Sequence, residues 1–298
     1  KEFNMKVVYD TFSTNEDMYV KIKSGGSTYD VIFPSDYMLT RMLNEGMLEE
    51  IDLEKIPNHK HLDPRLMGTV YDPENRYSLP YMWGTLGILY NTTMVDEEID
   101  SWDALWDPKY SKEILMLDSQ RDSIGAALLR LGYSLNTLDL EELAEAGESL
   151  REQKPLVLAY VLDEGKDKMV AGEAALALTW SGEAMYGISE NEDLAYVIPK
   201  EGTNIWFDVM AVPKGSKNLE GAMQFMDFLN RPEIALRNTE YIGYATPHLA
   251  ARAMLPEEVQ NDRQAYPLDE DLEHAEFFVH LGETLRDYDR IWTEVKAH

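Results

Sequence analysis

Apolar and polar positions alternate through residues 5–12 and predict a strand. The polar run Ser13-Thr14-Asn15-Glu16 follows with the spacing of a capping box, Ser13 and Glu16 being placed to satisfy each other's amides, so a helix should run to about Ser24. Gly25-Gly26-Ser27 breaks it, residues 29–33 (YDVIF) read as a buried strand, and Pro34-Ser35-Asp36-Tyr37 turns the chain into a second helix ending near Gly46. Such a β-α-β-α start predicts a largely parallel sheet. In open sheets of that kind ligands bind beyond the carboxyl ends of the strands, where Ser35 and Tyr37 fall.

Residues 77–91 (YSLPYMWGTLGILYN) form an apolar, aromatic run broken by Gly84 and Gly87 and predict a long strand. A short helix over 101–110 should end at Pro108, a strand over 113–117 should stop at Asp118, and Ser119 to Asp122 should open a helix reaching Leu131. The leucine and alanine spacing predicts a helix over 141–152, followed by a strand over 156–161, a short helix over 166–171 and a strand over 174–180 that ends in a turn at Ser181-Gly182-Glu183. Residues 204–213 repeat the long extended character of 86–90, and two such strands could bridge two lobes. Helices are expected over 219–229 and from Pro232, and the rest of the chain to Lys296 reads as mostly helical, with Phe278, Leu281, Tyr288 and Trp292 sharing a face.

A length of 298 residues fits one large or two medium domains, and two lobes are expected. Asp and Glu number 55 against 27 Lys and Arg, a net charge of −28 that disfavours nucleic acid and anionic membranes as partners. The same field would draw in a small cation, or serve solubility alone. The chain has no cysteine, which excludes disulfides, thiolate zinc sites and cysteine nucleophiles. No apolar run is long enough to span a membrane, and the start carries no signal peptide or lipidation motif. Lys1-Glu2-Phe3-Asn4 reads as the start of a mature or trimmed chain, with any signal or lipid-anchor segment outside it.

Complete catalytic signatures are missing. His59 and His61 fall in a polar loop, His274 and His280 on the expected last helix, and His248 after Thr246-Pro247 at a helix entry. What recurs is an aromatic beside a carboxylate near strand ends: Asp36 with Tyr37, Asp118 and Asp122, Trp180 with Glu183, Trp206 with Asp208, then Tyr241 and Tyr244. Aromatic faces attract cations by about 0.5 to 2 kcal/mol, and carboxylates accept charge-assisted hydrogen bonds from amines, so these are the parts of an ammonium site. Three other readings stand beside it: core edges and solvated surface; general acid and base pairs such as Asp118 with Asp122 in a carboxylate-dependent hydrolase; and an acidic face that docks a basic partner. The binding reading ranks above the enzymatic one.

At these positions the chain resembles the polyamine-binding proteins that serve ATP-driven spermidine and putrescine importers. The likeness rests on Ser13 to Tyr19 (STNEDMY), Tyr29 to Tyr37 (YDVIFPSDY), Tyr77 to Gly84 (YSLPYMWG), Leu131 to Ser134 (LGYS), Ile205 to Asp208 (IWFD) and Ile242 to Pro247 (IGYATP), in that order and spacing. It implies a two-lobed α/β fold of the type II-like periplasmic-binding-protein kind, each lobe a mostly parallel sheet flanked by helices with the ligand cleft between them. The lobes are expected at 1–84 plus 207–248 and at 85–206 plus 249–298, with crossover strands near 84–91 and 205–212.

By the same resemblance Ser35 and Tyr37 match a ligand-contacting loop, Asp122 a glutamate that pairs with a terminal amine, and Trp180 and Tyr244 aromatics that sandwich the aliphatic chain. Trp206 and Asp208 match the pair that holds a terminal or secondary amine. Ser119 stands where the family has an aspartate, with Asp118 beside it as a substitute; Phe278 stands near a glutamine contact; and the family's first strand, with its binding aromatics, would precede Lys1. The resemblance therefore implies a non-catalytic, extracytoplasmic receptor, periplasmic or lipid-anchored, that works as a monomer with a polyamine and an importer permease, without cofactor, metal or nucleic acid. A receptor of the same fold for another organic cation, or for a metal held by Tyr37, Tyr241 and Tyr244, is the alternative.

Overall fold

The structure, a computed structural model, describes Phe3 and residues 5–12, 14–25 and 28–297. Lys1, Glu2, Asn4, Ser13, Gly26 and Ser27, which enter the expectations above, lie outside the described residues. The helices are α1 (Asn15–Lys23), α2 (Asp36–Asn44), α3 (Gln120–Arg130), α4 (Leu140–Gln153), α5 (Glu164–Val170), α6 (Ser181–Glu190), α7 (Leu219–Leu229), α8 (Pro232–Ile242), α9 (Leu249–Arg252), α10 (Glu257–Gln260) and α11 (Leu285–Ala297). The strands are β1 (Ser78–Asn91), β2 (Ile114–Leu117), β3 (Val157–Val161), β4 (Leu176–Trp180), β5 (Leu194–Val197) and β6 (Ile205–Ala211). No helix among the described residues is long and apolar enough to cross a membrane.

Two compact units share the chain. The first holds Lys1–Trp83, Phe207–Ile242 and Thr246–Pro256, and the second holds Gly84–Trp206, Gly243–Ala245 and Glu257–His298. The chain passes from one unit to the other inside β1 and inside β6. Residues 249–256, expected in the second lobe, cluster with the first unit, because His248 ties α9 to the end of α7: its Nδ1 accepts the Ala251 amide at 3.0 Å and its Nε2 meets the Asn230 carbonyl at 2.8 Å.

The sheet order is β3-β2-β4-β1-β5, and β6 pairs with β1; β2 to β5 lie wholly in the second unit. β2 runs parallel to β3 and β4, whereas β1 runs antiparallel to β4 and β5, so the sheet is mixed rather than mostly parallel. Every residue of β2 is buried, as a central strand covered on both faces requires. Leu89, Leu115 and Ala177 face a cluster with Met169, Ala184 and Leu194, which brings in α5 and α6. On the other face Gln153 of α4 donates to the Met116 sulfur at 3.3 Å, and α3, α4 and α11 pack together there.

The first unit departs further from the parallel expectation. Residues 29–33 form no strand and touch the sheet through isolated antiparallel bridges, Ile32 with Ala211 and then Ser35 with Asp208. Residues 5–12 take no regular structure, and Val8 and Tyr9 are more than four-fifths exposed, since no strand among the described residues pairs with that segment. The core of this unit is instead built from Ile51, Ile56, Leu62, Leu79, Met210, Val212, Met223 and Met226. α1 is capped by Thr14, whose Oγ1 accepts the Asp17 amide at 3.1 Å.

Two further expectations need correction. The turn at Ser181-Gly182-Glu183 is the first turn of α6, with Trp180 extended at the cap position and Glu183 favourably placed at the positive end of the helix. Residues 253–284 are not one helix face: the short α10 and two 3-10 turns are joined by irregular chain, interrupted by Pro256, Pro267 and Gly282. Phe278 and Leu281 are buried from that irregular chain, His274 and His280 lie outside any helix, and Tyr288 of the expected face is buried from a helix, α11, along with Ile291 and Val295.

Candidate functional site

Serine at a helix N-cap ordinarily accepts an amide hydrogen bond from the first turn. Ser35 and Ser119 occupy the N-cap positions of α2 and α3, and neither makes that bond. Each hydroxyl is turned to a carboxylate instead: Ser35 Oγ donates to Asp208 Oδ1 at 2.8 Å, and Ser119 Oγ donates to Asp122 Oδ2 at 2.5 Å. One such group lies in each unit.

In the first unit Asn15, at the start of α1, braces the group from the other side. Its Oδ1 accepts the Ser35 amide at 3.0 Å and its Nδ2 donates to Ser35 Oγ at 3.1 Å. Asp36 accepts the Tyr37 amide at 2.6 Å and the Phe207 amide at 3.2 Å, which locks the α2 start to β6 just before Asp208. Tyr37 is half-buried and its hydroxyl donates to Glu16 at 3.0 Å. Asp208 keeps part of its surface open, yet desolvation pushes its carboxyl above the usual range, against the Ser35 hydrogen bond. Tyr81 feels that charge: burial, with Tyr9 and Asp208 adding to it, raises its hydroxyl to about 12. Its ring meets Phe33 edge-on at 4.8 Å.

In the second unit the buried Asp122 also accepts the Trp180 indole N–H at 3.3 Å. Burial pushes its carboxyl upward, and the Ser119 and Trp180 bonds and the charge of Arg121 work against that shift. Trp180, partly open at the end of β4, leads directly into Ser181-Gly182-Glu183. There Trp206 and Tyr244 meet edge-on, 5.2 Å between ring centroids. Both rings lie against glycines. A Cβ on Gly84 would stand 2.5 Å from the Trp206 ring, and one on Gly182 would stand 1.8 Å from Tyr244 Cδ1. Trp206 is further fixed by its N–H to the Thr85 carbonyl at 3.3 Å, and Tyr244 by its hydroxyl to Glu183 Oε1 at 2.8 Å.

The structure thus brings Ser35, Tyr37 and Asp208 together in one unit, and Ser119, Asp122 and Trp180 with Trp206 and Tyr244 in the other. Asp118 stands apart from them. It is exposed and held by Lys296 at 2.7 Å, with Tyr160 of β3 rather than Trp180 of β4 as its aromatic neighbour. Asn15, Tyr81 and Lys166, which pairs with Glu183 at 2.6 Å, are components that the sequence reading left out, whereas the sequence already sets Glu183 beside Trp180. Tyr241 is 92% exposed, and among the described residues no group of three His, Cys, Asp or Glu is placed to hold a metal ion.

The pattern of a carboxylate, a hydroxyl that orients it and an adjacent aromatic suits a cationic amine. Comparison with known proteins bears on this directly. The chain is 38% identical to the spermidine/putrescine-binding periplasmic protein of Salmonella typhimurium over 299 residues, covering all of this chain and 86% of that protein. It is 34% identical to a putrescine-binding periplasmic protein of Pseudomonas aeruginosa, again over all of this chain and 86% of the relative. Its fold matches the crystal structure of the spermidine/putrescine transporter substrate-binding protein of Streptococcus pneumoniae with a TM-score of 0.90 and 42% identity, over 99% of this chain and 92% of that one. Residues 1–267 match the model of the bacterial extracellular solute-binding proteins. With its two α/β units and full-length likeness to these receptors, the chain belongs to the bacterial extracellular solute-binding protein family.

Proposed function

We propose that this chain captures a polyamine, spermidine or putrescine, outside the cytoplasm and delivers it to the membrane permease of an ATP-driven importer, without turning it over. Ser35, Tyr37 and Asp208 from one unit, and Asp122, Trp180, Trp206 and Tyr244 from the other, are the ligand contacts, with Ser119 orienting Asp122. Asp118 already holds Lys296 and is left out of this set.

The observation that carries the reading is the state of the two carboxylates. Asp122 and Asp208 are each hydrogen-bonded by an N-cap serine, and neither is ion-paired among the described residues. By contrast Asp118 and Glu183 each hold a lysine. Forgoing a serine cap costs a helix about 1 kcal/mol, and partial desolvation of a carboxylate costs more, so both groups are held at a cost to the fold that an incoming ammonium offsets. Carboxylates suit the amines of a polyamine and aromatic faces its methylene chain, which loses its freedom on binding. The relatives named above are spermidine- and putrescine-binding proteins, which supports the same ligand class.

Tryptophan fluorescence titration tests it. Spermidine or putrescine should change the emission saturably while propylamine, with one charge, leaves it unaltered at the same ionic strength. Equal responses to all three amines would contradict the assignment.

A further inference from the structure

Asn15, the first residue of α1, belongs with Ser35, Asp36 and Asp208 to the first unit, and their side chains form a chain of hydrogen bonds whose direction is fixed from one end. A backbone N–H can only donate, so the Asn15 atom that faces the Ser35 amide at 3.0 Å is its carbonyl oxygen. The other end of the same side-chain amide is then nitrogen, and it donates to Ser35 Oγ at 3.1 Å. A hydroxyl with a donor on one side gives its single proton elsewhere, and that proton goes to Asp208 Oδ1 at 2.8 Å. The usual competitor for the hydroxyl is removed as well. Asp36 Oδ1 accepts the Tyr37 amide at 2.6 Å, one of the first-turn amides that an N-cap serine would otherwise cap. Each bond in such a chain polarises the next, so Asn15 makes the serine a stronger donor as well as an aimed one. At the far end, burial favours the neutral acid of Asp208 and the Ser35 bond favours the ion.

We propose that Asn15 is a positioning residue for Asp208: it aims the Ser35 hydroxyl and so holds the carboxylate ionised and oriented for an ammonium group. Its bearing on the ligand rests on the polyamine reading above, whereas its action on Asp208 does not. The titratable groups on the elements packed about Asp208 are Glu16 on α1, Asp36 and Tyr37 on α2, and Tyr81 on β1 with Tyr9 near it, and all of them are kept in the variants below.

The test has two arms. In the first, the side-chain carboxyl carbon of Asp208, identified by its loss in Asp208→Asn, is titrated by carbon NMR in the ligand-free protein. Ser35→Ala removes the donor and should raise the midpoint by about one pH unit, the size that a hydrogen bond to a charged group carries. Asn15→Ala should raise it by about half a unit or more, and Asn15→Ala/Ser35→Ala should match Ser35→Ala alone, because Asn15 acts through the hydroxyl. An unchanged midpoint in Asn15→Ala, or additive shifts in the double variant, overturns the proposal and leaves Asn15 as a tie between α1 and α2. Should Asn15→Ala not fold, Asn15→Asp decides. It keeps the shape and the bond from the Ser35 amide but draws the hydroxyl proton to itself, so its upward shift must exceed the one it causes on a Ser35→Ala background, where the added charge acts alone; equal shifts overturn the proposal. In the second arm spermidine is titrated across a pH series. In Asn15→Ala the acid limb of the affinity should move up by the same interval as the carbon midpoint, with affinity at neutral pH about threefold to tenfold lower. A moved midpoint with an unmoved acid limb overturns the role in ligand binding. A parent that binds no polyamine, with the carbon midpoint moved as predicted, sinks the polyamine reading and leaves the action of Asn15 on Asp208 standing.

Discussion

Ser35 donates its hydroxyl to Asp208 at 2.8 Å across 173 residues of sequence, and the same two residues form an antiparallel backbone bridge. The bridge fixes where the carboxylate stands and the hydroxyl fixes how it points. Asp208→Asn preserves shape and removes only charge, so it should weaken spermidine binding by about 2 to 5 kcal/mol, the cost of leaving a desolvated ammonium without its partner. Calorimetry measures this, and an affinity equal to the parent's would take Asp208 out of the contact set.

Asp118 and Asp122 sit four residues apart in sequence yet in different surroundings, one exposed and lysine-paired, the other buried beside Trp180. Asp122→Asn should lower polyamine affinity at least tenfold, while Asp118→Asn should leave it within about twofold, since a surface ion pair contributes little. A larger loss in Asp118→Asn than in Asp122→Asn would reverse the assignment.

The raised pKa values of Asp122 and Asp208 set a pH dependence. The free protein takes up protons on these carboxylates above the ordinary aspartate value of 3.8, and an ammonium ligand binds their ionised form. Affinity should therefore begin to fall at a pH above that value as acid is added. Stability without ligand moves the other way: the folded state binds these protons more tightly than the unfolded one, so as pH falls through the raised values these two groups contribute a gain. Titrations across a pH series with a denaturant midpoint at each pH check both signs.

Gly182 lies in the first turn of α6, where alanine suits the backbone, so Gly182→Ala acts by bulk alone. The added Cβ would stand 1.8 Å from Tyr244 Cδ1 and must displace the ring. Overpacking of this kind costs about 1 to 3 kcal/mol of stability, and the loss of Tyr244 from its place should also weaken ligand binding. A variant with parental melting and parental affinity would show that the ring moves aside freely and is no fixed wall.

His248 makes a useful contrast. Its Nδ1 caps α9 and its Nε2–H reaches the Asn230 carbonyl, so His248→Ala should cost about 1 to 2 kcal/mol of stability, measured by denaturant unfolding, while leaving polyamine affinity unchanged.

The second unit was largely legible in the sequence because its strands are continuous apolar runs, as in residues 86–90 and 114–117, which only a covered sheet can bury. The first unit was not, because its pairings join single residues far apart, such as Ile32 with Ala211, and leave no local period to read. Alternation over residues 5–12 has the pattern of a strand without a partner, and pattern alone does not supply one. The aromatic and carboxylate components of the site were visible as neighbours in sequence, Trp206 with Asp208 above all. What separates Asp122 from Asp118, or engages Glu183 with Lys166, is which strand end and which lysine lie beside each, and that is set by the fold. That the hydroxyls of Ser35 and Ser119 go to carboxylates rather than to first-turn amides is likewise set by the fold.

The most direct test of the account is titration calorimetry of the purified chain with spermidine, putrescine and a monoamine control at moderate salt. The account predicts saturable one-to-one binding of a polyamine with little binding of the monoamine. A folded sample that binds neither polyamine, or that binds the monoamine equally well, would contradict it.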